Sequence, residues 1–143
     1  MPGAEIVWKE GMRFEGTSDS GHTVVMDAGG PPDGTDTGAR PMELLLIGLG
    51  GCTGMDVVSI LKKMRKHVTY FKLNIRAERS SEHPKVYTKI NLEYLIEGDM
   101  EDGDVKRAVG LSQDKFCSVS AMLGKTADIA YTYKLLKAED RKP

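Results

Sequence analysis

The first third of the chain alternates between apolar and polar residues in short stretches that turn residues separate. Three stretches show the alternation of half-buried β-strands, and they are residues 4–9, 12–17 and 22–27. Residues 28–40 follow with four glycines and two prolines, and they predict a loop. A loop of this length inside a compact domain often covers a functional site.

The next segment predicts a long helix from about Met42 to Lys66, with Pro41 in its first turn. Its first half is apolar on every face, as in a buried helix, and its second half is amphipathic and basic. Residues 44–61 within it have the length of a membrane span, but Asp56 and four glycines argue against that interpretation. Glycine weakens a helix, so the glycines indicate that another backbone approaches closely. We therefore expect neighbouring elements, some of them from a second subunit, to pack closely against this helix.

The second half of the chain returns to alternation. Residues 68–79 and 86–98 predict an antiparallel hairpin with one solvated face. Helices over residues 100–114 and 116–123 and a last strand over 126–136 complete the order β-β-β-α-β-β-α-α-β. This order predicts one α+β domain over residues 1–143. Its long helix is too apolar for one small sheet to cover, which predicts a homodimer.

Composition excludes some classes of function. Twenty basic residues nearly balance 21 acidic ones, and one Trp and three Phe offer little for stacking on bases, so nucleic-acid binding is not expected. The first residues carry no apolar signal region, and no segment predicts membrane association. Two cysteines without an export signal predict a reducing, cytoplasmic location.

The two cysteines are the candidates for chemistry. Cys52 lies among glycines in the apolar part of the long helix, where it is either a buried structural thiol or a nucleophile that a substrate can approach. Cys117 lies near a helix start, where the helix dipole favours a thiolate, unless it is only a small apolar residue at a junction. Their separation of 65 residues excludes a CxxC motif and does not determine their distance in the fold.

Other site types find little support. The three histidines lack the spacing of metal ligands, and neither a P-loop nor a dinucleotide fingerprint follows a strand, so no metal and no cofactor are expected. Arg13 and Glu43 remain charged candidates. Each also has a structural explanation, as a solvated strand arginine and a first-turn helix glutamate.

The run RPMELLLIGLGGCTGMDVVSILKKMR, followed by KFCSVSAML, resembles the OsmC-like proteins. That family includes osmotically inducible and organic hydroperoxide resistance proteins, and the branch described as predicted redox proteins, regulators of disulfide bond formation, is the most similar. The resemblance implies an intertwined α+β homodimer with the long helix at its centre. It implies that Cys52 is the peroxidatic thiol, that Cys117 is the resolving thiol and that Arg13 stabilises the thiolate.

Two positions depart from the family pattern. The family's catalytic glutamate follows the helix-opening proline, but here Met42 takes that place and Glu43 comes one residue later, rotated by about 100°. The second motif reads C-S-V-S where C-P-V-S is common. Efficient catalysis by Glu43 is therefore in question, whereas both cysteines are kept.

The expected function is reduction of peroxides, with organic hydroperoxides favoured, and regeneration by an external dithiol or lipoyl-type reductant. Two alternatives stay open at this point. The chain could be a catalytically weak dimer that binds a small apolar or thiol ligand, or it could be a redox sensor that acts on a protein partner.

Overall fold

The computed structural model describes residues 1–140, and these form two compact units, Met1–Ile47 and the chain from Gly48 onward. The first unit holds a three-stranded antiparallel sheet in the order β1-β2-β3. Its strands are β1 (Ala4–Glu10), β2 (Arg13–Ser18) and β3 (Thr23–Met26). The three predicted strands are thus confirmed to within one or two residues. Gly11 forms the first turn with a φ of +53°, a conformation that glycine adopts without strain.

The glycine-rich loop after β3 is anchored by one buried carboxylate, Asp27, which is 2% exposed. Asp27 Oδ2 accepts hydrogen bonds from Thr37 Oγ1 at 2.6 Å and Thr35 Oγ1 at 2.8 Å, and its Oδ1 accepts one from the Ala28 N–H. The hydrogen bonds from Thr37 and Thr35 hold the pKa of Asp27 far below its usual value. The loop is therefore held by an ionised side chain rather than by apolar packing.

The long helix, α1, spans Pro41–Lys63. It ends three residues before the predicted end at Lys66, because Arg65 adopts a left-handed conformation with a φ of +61°. Four buried residues recur every fourth position along it, namely Leu49, Thr53, Val57 and Leu61. By length and composition alone α1 could cross a membrane, and 22% of its apolar 18-residue window is buried within the chain.

The second unit is built on the sheet order β4-β5-β6. Its strands are β4 (His67–Arg79), β5 (Tyr87–Asp99) and β6 (Asp128–Leu136). β4 and β5 form the predicted antiparallel hairpin, and every second side chain of β5 from Ile90 to Ile96 is buried while the alternating ones face solvent or are half-buried. β6 pairs with β5 in parallel, a pairing that the sequence did not predict.

The crossover between β5 and β6 holds α2 (Asp102–Leu111), a π-helical turn (Ser112–Phe116) and α3 (Ser118–Leu123). The prediction of one regular helix over residues 100–114 is therefore wrong at its C-terminal end. The N-cap of α2 is Glu101, and its N–H donates to Asp104 Oδ2 at 2.9 Å. The predicted α+β class is confirmed, with two three-stranded sheets.

Two of the four helix glycines lie against side chains of β4, and not against another backbone as predicted. A Cβ at Gly50 would lie 3.2 Å from Ile75 Cδ1, and one at Gly54 would lie 3.7 Å from the Phe71 ring, so β4 packs closely on this face of α1. A Cβ at Gly48 or Gly51 would meet no atom within 4 Å. Within the described residues, β4 therefore packs against the side of α1 that carries Gly50 and Gly54, and the side that carries Gly48 and Gly51 is open.

Candidate thiol site

The structure brings the two cysteines together although 65 residues separate them in the sequence. The Sγ atoms of Cys52 and Cys117 and one carboxylate oxygen of Asp56 all lie within 4.8 Å of one another. Both cysteines are free thiols. A disulfide requires about 2.05 Å between the sulfurs, so the pair must move closer to form a bond. The two thiols are near enough to react with each other after a local rearrangement.

Cys52 owes its position to the packing of α1. The buried positions Leu49, Thr53 and Val57 fix the rotation of the helix and leave Cys52 half-buried beside them. Asp56 follows four residues later and therefore lies on the same face, one turn further along. The Cys52 side chain is thus partly covered and partly accessible.

Cys117 occupies the N-cap of α3 and is 3% exposed. Its N–H donates to the Ser112 carbonyl at 2.7 Å, and its Sγ accepts a hydrogen bond from the Ser120 N–H at 3.4 Å. Burial raises the pKa of the Cys117 thiol and outweighs the hydrogen bonds from Ser120. The prediction that the helix start favours a thiolate here is wrong, because desolvation dominates.

A continuous network of hydrogen bonds lies beneath the thiols. Ser112 Oγ donates to Asp56 Oδ2 at 2.9 Å and also bonds Thr53 Oγ1 at 2.7 Å. Thr53 Oγ1 bonds the hydroxyl of Tyr94 at 2.7 Å. Gln113 Nε2 donates to the Tyr94 hydroxyl at 2.9 Å and to Thr53 Oγ1 at 3.1 Å, and Ser120 Oγ donates to Gln113 Oε1 at 3.1 Å. The network joins α1, β5, the π-helical turn and α3, and so fixes how the two cysteines are placed.

Sequence reasoning missed this network. Asp56 could have been found, because a position four residues after a helical cysteine lies on the same face. Thr53, Tyr94, Ser112 and Gln113 carry no local signal, since their contacts join residues far apart in the sequence. The π-helical turn could not be predicted from the sequence either. Such turns are frequent at functional sites.

Tyr94 is the buried centre of the network. It is fully buried, and burial raises its pKa to about 12. Its ring contacts Phe71 and Tyr131 edge to face, with centroids 6.3 and 6.2 Å apart. The hydroxyl therefore serves as a hydrogen-bonding group at neutral pH and stays protonated.

We expect Tyr94→Phe to lower the free energy of unfolding by about 1–3 kcal/mol, because Thr53 and Gln113 lose a buried partner. Thermal or urea unfolding measures this change. Tyr133→Phe is the matched control, since its hydroxyl bonds Asp102 at the surface and its loss should change stability little. Equal stability of Tyr94→Phe and the wild type would contradict the importance of the network.

Arg13 and Glu43 both belong to the first unit. Arg13 Nη2 lies 3.2 Å from Glu15 Oε2, and the Glu43 carboxylate accepts a hydrogen bond from the Arg40 N–H at 2.8 Å, as a helix-capping residue does. Glu43 thus has a structural role at the start of α1. The roles of Arg13 and Glu43 toward Cys52 stay predictions.

Three side chains of the site carry atoms that could bind a metal ion. Among the described residues, Cys52, Asp56 and Cys117 are the group whose donor atoms could hold an ion. Zinc in structural sites takes four nitrogen or sulfur ligands, and these three residues offer two sulfurs and one carboxylate. The arrangement fits thiol chemistry without a metal, and the expectation of no metal stays a prediction.

The α+β fold, with one thiol on a long apolar helix and a second thiol close to it, is that of the OsmC-like proteins. The chain belongs to the OsmC-like protein family, whose model matches residues 34–132. The predicted family membership is confirmed. Protein YhfA of Escherichia coli strain K12 is 41% identical over 136 residues, which cover 94% of this chain and 98% of that protein.

Solved structures support the fold. The OsmC-like protein from Mycoplasma pneumoniae is 18% identical, with a TM-score of 0.82 over 96% of this chain and 98% of that one. The organic hydroperoxide resistance protein OhrB of Bacillus subtilis is 16% identical, with a TM-score of 0.62 over 94% of this chain and 98% of that one. The apolar helix α1 therefore belongs to an OsmC-like fold.

Proposed function

We propose that this chain is a thiol-dependent peroxide reductase in which Cys52 is the peroxidatic cysteine and Cys117 is the resolving cysteine. The proximity of the two sulfurs, within 4.8 Å of each other, is the observation that carries this proposal. Two free thiols that close together in a reducing location favour reversible disulfide formation over a permanent structural bridge. The family supports the proposal, because it includes proteins named for resistance to organic hydroperoxides.

The different exposure of the two thiols supports their assignment. Cys52 is half-buried, so part of its side chain stays accessible to a peroxide. Cys117 is buried, and burial raises the pKa of its thiol. A buried and protonated thiol is a poor first nucleophile, but it is protected from peroxide until its partner is oxidised. The order of reaction therefore begins at Cys52.

The proposed cycle has three steps. The Cys52 thiolate attacks one oxygen of the hydroperoxide, the O–O bond breaks, and the alkoxide leaves and takes up a proton to become an alcohol. Cys52 is thereby oxidised to a sulfenic acid. The Cys117 thiol then attacks the Cys52 sulfur, which forms the disulfide and releases water. An external dithiol reduces this disulfide by thiol–disulfide exchange.

Apolar surroundings favour organic hydroperoxides in this proposal. Phe116 directly precedes Cys117 in the sequence and is 48% exposed. An exposed aromatic ring at this position gives an alkyl or aryl group a surface on which to bury its own apolar area. Hydrogen peroxide has no such group and gains nothing from this surface.

Peroxide consumption by the purified protein tests the proposal. With dihydrolipoamide as the reductant, we expect cumene hydroperoxide to be consumed catalytically and faster than hydrogen peroxide. Glutathione, a monothiol, is the control reductant and should support slower turnover. Consumption no faster than with the free dithiol alone would rule out a peroxide reductase, and a single slow oxidation without turnover would favour a redox sensor instead.

We further propose that the chain acts as a cytoplasmic homodimer. Apolar side chains on α1 remain exposed in the single chain, among them Leu45, Ile47, Met55 and Val58. β1 is exposed along its whole length, including Trp8 at 60%. A monomeric soluble protein rarely leaves so many large apolar groups in contact with water, and a second copy offers the same surfaces in return.

A further inference from the structure

We infer that Asp56 carries the proton in the disulfide-forming step, accepting it from the Cys117 thiol and passing it to the oxygen that leaves Cys52. This inference rests on the proposed peroxide reductase function and adds a residue to it. The family resemblance places the catalytic glutamate at a position that Met42 occupies here. Asp56, in contrast, lies within 4.8 Å of both sulfurs.

The chemistry of the second step requires a proton carrier. The reacting species are a sulfenic acid on Cys52 and a thiol on Cys117, and the products are a disulfide and water. The S–H bond of Cys117 must break while the S–S bond forms, and the S–O bond of Cys52 must break with protonation of the leaving hydroxide. One carboxylate that takes the first proton and supplies the second balances the step and is regenerated unchanged.

The burial of Cys117 strengthens the requirement for a proton carrier. Its side chain is enclosed, and burial raises the pKa of its thiol, so bulk water cannot readily deprotonate it. A separation of up to 4.8 Å between a carboxylate oxygen and a sulfur can be bridged by one water molecule that bonds both. Closure of the two sulfurs toward bonding distance also shortens the path.

Ser112 sets the geometry of both partners. Its hydroxyl donates to Asp56 Oδ2 at 2.9 Å, which leaves the second carboxylate oxygen, Oδ1, available for the transferred proton. Its carbonyl accepts the Cys117 N–H at 2.7 Å within the π-helical turn. One residue therefore fixes the carboxylate and the backbone of the thiol that it serves.

The titratable groups around Asp56 come from several elements. Cys52 lies on its own helix, Cys117 at the start of α3, and Tyr94 on β5, joined to Asp56 through Thr53 and Ser112. Tyr131 on β6 contacts the ring of Tyr94. Within residues 1–140, none of the ion pairs includes Asp56, so no basic side chain neutralises the carboxylate by direct contact.

Single-turnover kinetics of Asp56→Asn separate the two steps. After one equivalent of cumene hydroperoxide, we expect Cys52 to form sulfenic acid at the wild-type rate, as measured by dimedone trapping. Disulfide closure should slow about 100-fold, the usual loss when a general acid–base group is removed. Closure in this variant should quicken as the pH rises, because more Cys117 thiol then ionises without help.

Two further variants keep the test decisive. Ser112→Ala keeps the Asp56 carboxylate but removes the hydrogen bond that holds it. The rate of disulfide formation in this variant should fall between those of the wild type and Asp56→Asn. Asp114→Asn removes an exposed carboxylate of the π-helical turn and should leave both steps unchanged. Circular dichroism verifies that each variant is folded.

The outcomes distinguish this inference from the proposed function. Sulfenic acid formation in the wild type, together with unchanged closure in both Asp56→Asn and Ser112→Ala, overturns the role of Asp56 and leaves the peroxide reductase intact. Slowing of both steps by the same factor in Asp56→Asn also overturns it, since that result indicates a structural role. Failure of the wild type to form sulfenic acid removes the proposed function itself.

Discussion

Replacing Cys52 by serine is expected to abolish turnover of cumene hydroperoxide. The hydroxyl of serine ionises far above neutral pH and cannot attack the O–O bond at a useful rate, so the first step has no nucleophile. The remaining thiol, Cys117, is 3% exposed, and burial raises its pKa, so it cannot take over. We expect the rate to fall to that of the free dithiol, as measured by peroxide consumption.

The Cys117→Ser variant is the matched control for this experiment. It keeps the peroxidatic thiol and should reduce one equivalent of peroxide, after which Cys52 has no partner and advances to sulfinic acid under excess peroxide. Intact mass spectrometry detects the added oxygen atoms. Full turnover by Cys52→Ser would contradict the role of Cys52 as the peroxidatic thiol. Oxidation of Cys117 before Cys52 in the wild type would reverse the assignment of the two cysteines.

The second large effect concerns assembly, and Met55→Lys is expected to convert the proposed homodimer to a monomer. Met55 is 76% exposed on the same side of α1 as Gly48 and Gly51, where an added Cβ would meet nothing. In the proposed dimer this side chain becomes buried. An unpaired lysine at that position would have to lose its hydration, which costs several kcal/mol.

Analytical ultracentrifugation or light scattering measures the result. Asn91→Lys is the control, because it adds the same charge to the exposed face of β5 and should leave the dimer intact. A wild-type protein that sediments as a monomer at micromolar concentration would contradict the proposed dimer. So would a Met55→Lys protein with unchanged mass in solution.

The elements with strong local patterns could be predicted from the sequence. The alternation in residues 68–79 and 86–98 determined the hairpin β4–β5, because one face of that sheet is buried and the other is solvated. The all-round apolar character of residues 44–61 likewise identified α1. The parallel pairing of β6 with β5 could not be foreseen, since a strand's partner and direction depend on contacts distant in the sequence.

The same distinction between local patterns and long-range contacts holds for the candidate site. Both cysteines were found as candidates from their surroundings in the sequence, but their proximity results from the crossover between β5 and β6, in which Cys117 follows the π-helical turn. The raised pKa of the Cys117 thiol could not be predicted from the sequence, because burial can be known only from the fold. Asp56 was treated only as a charge that argues against a membrane span, and its position next to both sulfurs emerged from the packing of α1.

Peptide mapping of the wild-type protein after one equivalent of cumene hydroperoxide tests the proposed mechanism most directly. We expect a single disulfide that joins the Cys52 and Cys117 peptides of the same chain and that dihydrolipoamide fully reverses. Cysteines that both remain reduced, or a Cys52 that proceeds to sulfinic acid while Cys117 stays a free thiol, would contradict it.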